Sequence, residues 1–424
     1  MTPDKAMSPN TITSALVVSQ HYWPEPIGSA PYVTDLADWL AAGGSRVHVL
    51  TCRPHYPEGK VPRAYRYGRR DVEAHQGVLI ERVPPFQPGH RGTLGRVIRE
   101  GLFLLQGLWA LATGRIQRSP FVVSLCPSIF AVLLGVAARR PDGRHTVLVH
   151  DIQSGLAAGL GMVGRFGLPA LMRWLERVVL ERADLILVLS HNMRTTLRNQ
   201  GVRAPIEILP IWVDTGTIRP ERAPRGDALT VMYSGNFGRK QGLMQIVDMA
   251  ERLQQRGTPV RILLRGEGSE GARIAAEISM RGLRHVRLAP LTPLEELSSS
   301  LAQGAIHFVP QDANAADFAV PSKVYAIMAS GRPFVAAARP GSQLWDLSTR
   351  SQAFLCVPAG DTDAIADAVE RLVRDPAFRI KLGCNGRRYA LRYHDKALVL
   401  GRFRALATAQ HAALPWRLRP SHIS

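Results

Sequence analysis

Three glycine-rich passages in the second half of this chain carry residue types suited to holding an anion. "SGNFGRKQG" (234–242) sets Gly235, Asn236 and Gly238 ahead of two adjacent cations, Arg239 and Lys240. "RGEGS" (265–269) supplies Gly266, Glu267 and Gly268, and "VPSK" (320–323) places Pro321, Ser322 and Lys323 at the start of a helical pattern. Glycine lets backbone N–H groups come close to a ligand. A helix N-terminus adds orphan donors and partial positive charge. Ser322 reads as a cap, after a proline suited to a first turn. The natural guest is a phosphate or pyrophosphate. An ordinary strand-to-helix turn explains any one of these passages, but not three that each follow a strand.

A second group of candidates lies in the first half. "VLVHDIQSG" (147–155) ends a strand with His150 and Asp151, and histidine is the side chain most easily set for proton transfer near neutral pH. "QHYWPEPIGSAPYV" (20–33) brings Gly28 and Ser29 to the start of a helix. It lacks the G-x-G-x-x-G dinucleotide fingerprint, and no G-K-[ST] phosphate loop occurs, which argues against nicotinamide, flavin and P-loop chemistry. "DTD" (361–363) precedes "AIADAVERL" directly, so its acids read as a helix cap and not as metal ligands. The 13 histidines form no HExxH or paired-ligand motif, so no metal and no cofactor are expected.

These residues need strands to carry them. "ALVVS", "RVHVLT", "VLIERVP", "FVVSL", "TVLVHD" and "LILVLS" read as strands, most of them separated by helical patterns. After a Pro-, Gly- and charge-rich pause at 210–228, the alternation resumes with "LTVMYSG", "VRILLRG", "VRLAP", "IHFVP", "PFVAAA" and "AFLCVP". Short β-branched runs between helices indicate α/β domains built on parallel sheets. The expected division is a disordered tail at 1–13, a Rossmann-like domain at 14–210, a linker at 211–228, a second Rossmann-like domain at 229–385, and a helical tail at 386–424 that returns to the first domain. In such sheets ligands bind beyond the carboxyl ends of the strands, where the candidate residues stand.

Charge narrows the partners. The formal net charge of +19 calls for something anionic. Nucleic acid fits poorly, because single-strand readers interleave aromatics with their cations and aromatics are only 7% here. Arginines cluster at 63, 66, 69 and 70, at 91, 96 and 99, and at 115 and 118. Between the last groups lies "GLFLLQGLWALA" (101–112), shorter than the roughly 20 apolar residues of a spanning helix. A basic, apolar, aromatic segment can lie in an anionic membrane interface without crossing it. Four scattered cysteines and no signal-type leader indicate a cytoplasmic protein, peripheral to the inner face of the membrane.

The pieces "HYWPEPIGSAPYVTDLADWLAAGGSRVHVLT", "CRPHYPEG", "ILPIWVD", "YSGNFGRKQGL", "LLRGEGS" and "PSKVYAIMASGRP" together resemble family 4 glycosyltransferases of the two-Rossmann GT-B fold. The likeness is strongest to bacterial enzymes of exopolysaccharide and colanic-acid type. It implies retaining transfer from a UDP- or GDP-sugar donor to a lipid-linked or polysaccharide acceptor. By the same resemblance Lys240, with Arg239, contacts the donor phosphates, and Gly266–Gly268 lies near the nucleotide. Backbone around Leu291 meets the base, the "PSK" turn meets the pyrophosphate, and Gly28 approaches the phosphates from the first domain. His150 would touch donor sugar or acceptor. Many members carry two glutamates near the "KVYAIMASG" helix; here Ala326 stands at the second position, and Asp317 is the one carboxylate near the first. A sugar-nucleotide epimerase of the same fold, or a GT-B partner without activity, are the other readings the residues allow.

Overall fold

The computed structural model describes residues 12–26, 28–55, 60–85, 93–126, 128–152, 168–222, 228–238, 241–312 and 320–409. Arg239, Lys240 and Asp317 lie outside them. The chain divides into two units, one running to Pro210 and resuming at Leu400, the other spanning Ile211–Val399.

Unit 1 opens with the buried strand β1 (Ser14–Val18). Helix α1 (Ala30–Ala42) follows, burying Val33, Leu36, Ala37 and Leu40 at i, i+3, i+4 and i+7. It ends where Gly44 takes φ 87°, a left-handed turn open to glycine. Strands β2 (Arg46–Cys52), β3 (Val72–His75) and β4 (Val78–Val83) come next, then α2 (Thr93–Ala112) and β5 (Ser119–Cys126). After them stand α3 (Ile129–Ala138), β6 (Arg139–Val149), α4 (Leu168–Leu180), β7 (Leu185–Val188), α5 (His191–Asn199) and β8 (Ile206–Ile208).

The eight strands order as β3-β4-β2-β1-β5-β6-β7-β8. All neighbours are parallel except the β3–β4 hairpin, which closes one edge antiparallel. Leu16, Val18, Leu50 and Val122 form a core with Phe103 and Ala110 of α2 and Leu134 of α3. The opposite side of α2 keeps Leu105, Leu108 and Trp109 in solvent. Thus the apolar stretch read at 101–112 belongs to a longer helix with one buried face and one exposed face. Among the described residues no helix is long and apolar enough to cross a membrane.

Unit 2 contains β9 (Leu229–Ser234), α6 (Met244–Gln255), β10 (Val260–Arg265), α7 (Gly271–Met280), β11 (Val286–Ala289) and α8 (Leu297–Ala302). It continues with β12 (Ile306–Pro310), α9 (Lys323–Ala329), β13 (Phe334–Ala338), α10 (Gln343–Ser351), β14 (Phe354–Pro358), α11 (Thr362–Arg374) and α12 (Pro376–Tyr393). Its six parallel strands order as β11-β10-β9-β12-β13-β14. The order reverses between β9 and β12, the switch point at which doubly wound sheets open a crevice.

Two segments differ from the sequence reading. Residues 211–222, the described part of the expected linker 211–228, pack into unit 2 as far as Glu221. Trp212 is buried there, and the Arg387 guanidinium donates to the carbonyls of Thr215 and Ile218. The expected tail is two helices, α12 and α13 (Lys396–Thr408), broken at His394 and Asp395. At the break Val213 pairs with Asp395, and the His394 ring bonds the Ile211 carbonyl at 2.7 Å. Side-chain anchors had turned a charge-rich stretch into structure. Beyond Leu400, α13 belongs to unit 1, with Phe403 against Phe121 and Arg404 over the Trp39 ring.

The "DTD" acids are structural. Asp361 caps α11 by accepting from the Ala364 amide, and Asp363 pairs with Arg252 and Arg256. Asp361→Ala should therefore lower stability by about 0.5–2 kcal/mol and leave turnover unchanged. Urea unfolding and an activity assay check both; lost activity in a folded variant would return these acids to the site.

Candidate functional site

The carboxyl ends of β9, β10 and β12 gather most of the predicted anion-site residues in unit 2. The turn after β9 and the turn after β10 are bonded to each other. Gly235 N donates to Arg265 O at 3.0 Å, and Phe237 N donates to Glu267 O at 2.8 Å. This corrects one expectation: those two amides continue the parallel strand pairing and do not point at a ligand.

The glycines are needed for closeness instead. A Cβ on Gly268 (φ 151°) would meet Asn236 Oδ1 at 2.5 Å, and one on Gly266 would strike the Gly235 carbonyl and the Phe237 ring. Gly235 (φ 145°) leaves room for Lys323, whose Nζ would stand 2.8 Å from a Cβ there. The first turn of α6 is tied to the switch point as well, since Gln245 Nε2 donates to Gln311 O at 2.9 Å. α6 itself begins at Met244, after Gly242 with φ 61°.

Lys323 is the chemical centre of this cluster. It opens α9, and its Nζ donates to the Tyr233 hydroxyl at 3.0 Å. That hydroxyl donates its own proton to Asn236 O at 2.8 Å. Nζ also lies 4.2 Å from the Tyr233 ring centre. Among the described residues no carboxylate pairs with it. Burial without a counter-charge lowers its pKa to about 7, because low dielectric disfavours the ammonium. The same burial pushes the Tyr233 phenol well above its ordinary range. Tyr233 had escaped the sequence reading because it looks like one more buried strand residue.

Ser322 does not cap α9. At φ −57° and ψ −30° it is already helical and its hydroxyl makes no cap bond, whereas a capping residue needs extended backbone. Leu291, half-exposed, follows β11. Arg265 steadies that loop by donating to Pro290 O at 2.9 Å and to Gln303 Oε1 at 3.0 Å.

In unit 1, Gly28 takes φ 73° just before α1. Its successor Ser29 gives α1 no side-chain cap, and the first turn holds no acid. His150 follows β6, and its ring meets that of Tyr32 on α1 edge-on at 5.7 Å. Burial lowers His150 to about 4. A neutral imidazole at pH 7 donates and accepts hydrogen bonds but is a weak base. Asp151 is exposed and its Oδ1 accepts from the Ile152 amide at 2.9 Å.

A family model for a glycosyl transferase 4-like domain matches residues 28–212, and one for glycosyl transferases group 1 matches 228–375. The chain is thus a glycosyltransferase with a 4-like domain followed by a group 1 domain. It is 29% identical over 408 residues to WcaI of Escherichia coli K12, assigned as a colanic acid biosynthesis glycosyl transferase, covering 92% of this chain and 98% of that one. It is 24% identical to the alpha-D-kanosaminyltransferase of Streptomyces kanamyceticus, over 83% of this chain and 92% of that one. Among solved structures, sucrose-phosphate synthase of Thermosynechococcus elongatus superposes with a TM-score of 0.73 at 20% identity, covering 93% and 98% of the two chains. Anabaena Alr3699/HepE in complex with UDP-glucose gives 0.68 at 14% identity, covering 93% and 100%. The fold of this glycosyltransferase is GT-B.

The Lys323 geometry sets a sign for stability against pH. Between about 7 and the ordinary lysine value of 10.5, the unfolded chain holds a proton that the folded protein has released. Stability therefore gains from this group as pH rises through that window, by up to about 1.4 kcal/mol per pH unit for one proton, and the group adds no slope outside it. Lys323→Met removes that share of the slope. Urea midpoints of both proteins from pH 6 to 10 test it; parallel curves would mean an amine charged throughout.

Proposed function

We propose that this glycosyltransferase takes a sugar from a UDP- or GDP-linked donor, with retention and without a metal ion. It passes the sugar to a lipid-linked or polysaccharide acceptor in bacterial polysaccharide assembly. The observation that carries the reading is the buried Lys323 amine, which no carboxylate among the described residues pairs with, beside the glycine turns of Gly235 and Gly266–Gly268 at the switch point of unit 2. An anionic group entering there supplies a counter-charge. Cations and backbone dipoles can stabilise a leaving diphosphate electrostatically, with Arg239, Lys240 and Lys323 as the cations. WcaI, named for colanic acid, and HepE, which holds UDP-glucose, support the pathway class and the donor class.

Neutral His150 serves as a hydrogen-bond partner for a sugar hydroxyl, and the leaving diphosphate takes the acceptor proton. Ala326, in place of the common glutamate, removes one contact to the donor sugar and so bears on donor choice.

Unit 1 also offers a surface suited to an anionic membrane at the inner face of the cytoplasmic membrane. Val97, Leu105, Leu108 and Trp109 stand exposed on α2, and Trp174 on α4. Arg63, Arg66, Arg69 and Arg70 surround Tyr67, which is 89% exposed. Each cation near such a surface contributes about 1 kcal/mol.

Incubation with a panel of UDP- and GDP-sugars, with and without lipid acceptor, tests the reading. Transfer should need both substrates. Conversion of the donor alone would indicate an epimerase, and no reaction with any pair a partner without activity. Lys240→Ala should cost about 1.5–3 kcal/mol of charge-assisted contact, a ten- to hundredfold loss of turnover, in a normally folded protein.

Sedimentation with vesicles should show binding that needs acidic lipid and weakens with salt. Leu105→Glu with Trp109→Glu should abolish it; equal pelleting of that variant would remove α2 from the membrane.

A further inference from the structure

Outside these sites, a cluster of titratable groups stands at the carboxyl ends of β1 and β2, beside the switch point of the unit 1 sheet. Glu25 is its centre and is buried. Glu25 Oε2 accepts from His21 Nδ1 at 2.7 Å, and Oε1 accepts from the His55 amide at 2.8 Å. His55 Nδ1 donates to Arg53 O at 2.9 Å. With both Nδ1 atoms committed, any proton an anion draws onto either ring sits on Nε2. The two ring centres are 5.3 Å apart, so one small anion can meet both.

The surrounding charge is positive. Arg99 of α2 is close enough for its charge to act on His55, and His21 acts in the same sense. Burial, the largest cause, lowers the pKa of His55 further. Glu25 thus ties together two histidines, with the Arg99 charge acting on one of them, a setting an anion can enter.

The loop is also built rigidly. Ser19 Oγ donates to His21 O at 2.7 Å, Arg82 Nη2 donates to Trp23 O at 3.1 Å, and Trp23 N donates to Thr34 Oγ1 at 3.1 Å. Arg82 is itself fully buried and ion-paired with Glu73. Such bracing suits a preorganised site.

We propose that His21 and His55, held in register by Glu25, form with Arg99 nearby a phosphate-binding site that takes the diphosphate of a lipid-linked acceptor. This rests on the lipid-linked reading above. The helix that supplies Arg99 also presents exposed Leu105 and Trp109, about 9 and 15 Å further along its axis at 1.5 Å per residue. One helix therefore offers a cation for the diphosphate and an apolar face for the chain attached to it. A soluble sugar acceptor would use neither.

The test compares the full-length protein on three neutral phosphatidylcholine vesicles: plain, doped with polyprenyl diphosphate, or doped with phosphatidylglycerol to equal charge. Wild type should be held most tightly by the diphosphate vesicles. His21→Gln with His55→Gln should lose about tenfold or more in that affinity. Its binding to phosphatidylglycerol vesicles and its binding of UDP or GDP in unit 2 should not change, the latter also reporting an intact fold. Glu25→Gln should show the same selective loss. Undiminished diphosphate binding by the folded double variant would overturn the site and leave the lipid-linked reading standing. Failure of wild type to prefer diphosphate vesicles over the other two would overturn both.

Discussion

A buried amine that no carboxylate among the described residues neutralises is the constraint from which unit 2 is best understood. Lys323 gives up solvation for one hydroxyl and the face of one ring, which is an unfavourable place for a charge. The neighbouring chain accommodates it through absences. Gly235 carries no side chain where Nζ stands, and Gly266 and Gly268 carry none where the next turn presses on Asn236 and Phe237. Two amide bonds then carry the β9–β10 pairing beyond both strands and fix the turns to each other. The site is thus tight and under-neutralised before any substrate arrives. Both properties favour electrostatic work, because donors already in place need not reorganise.

Unit 1 solves a related problem by different means. Its buried Glu25 is hydrogen-bonded locally to the His21 ring and to the His55 amide 30 residues on, where in unit 2 no carboxylate among the described residues meets the lysine. His150 lies in a third kind of setting, stripped of charge by burial beside Tyr32. The same sheet type therefore places at its strand ends a hydrogen-bonded acid, a neutral base and a buried amine, and the side-chain environment decides which behaviour appears.

Strand identity was largely legible in the sequence, because buried parallel strands read as short continuous apolar runs. β9 to β14 fall on the runs chosen for them, and the glycine turns follow those strands as read. What stayed hidden depends on partners distant in sequence. Tyr233 and Lys323 are 90 residues apart, so neither one's role shows locally. Glu25 sits between two prolines and looks like a loop acid until the His55 amide meets it. Ser322 carried a capping signature, yet its backbone had already turned helical. The stretch 211–228 read as linker because the anchors of its described part, Arg387 on α12 and Asp395 in the break after it, come from far downstream.

The return of the chain to unit 1 at Leu400 bears on how the protein is made. Phe403 is fully buried and Arg404 covers the Trp39 ring, so part of the wrapping of unit 1 is encoded after the whole of unit 2. While the ribosome adds all of Ile211–Val399, the surface around Phe121 and Trp39 must wait uncovered, for roughly 10–40 s at about 5–20 residues per second. The first unit to emerge is therefore the last to be completed. That delay leaves a sticky apolar patch on the nascent protein, of the kind on which chaperones act.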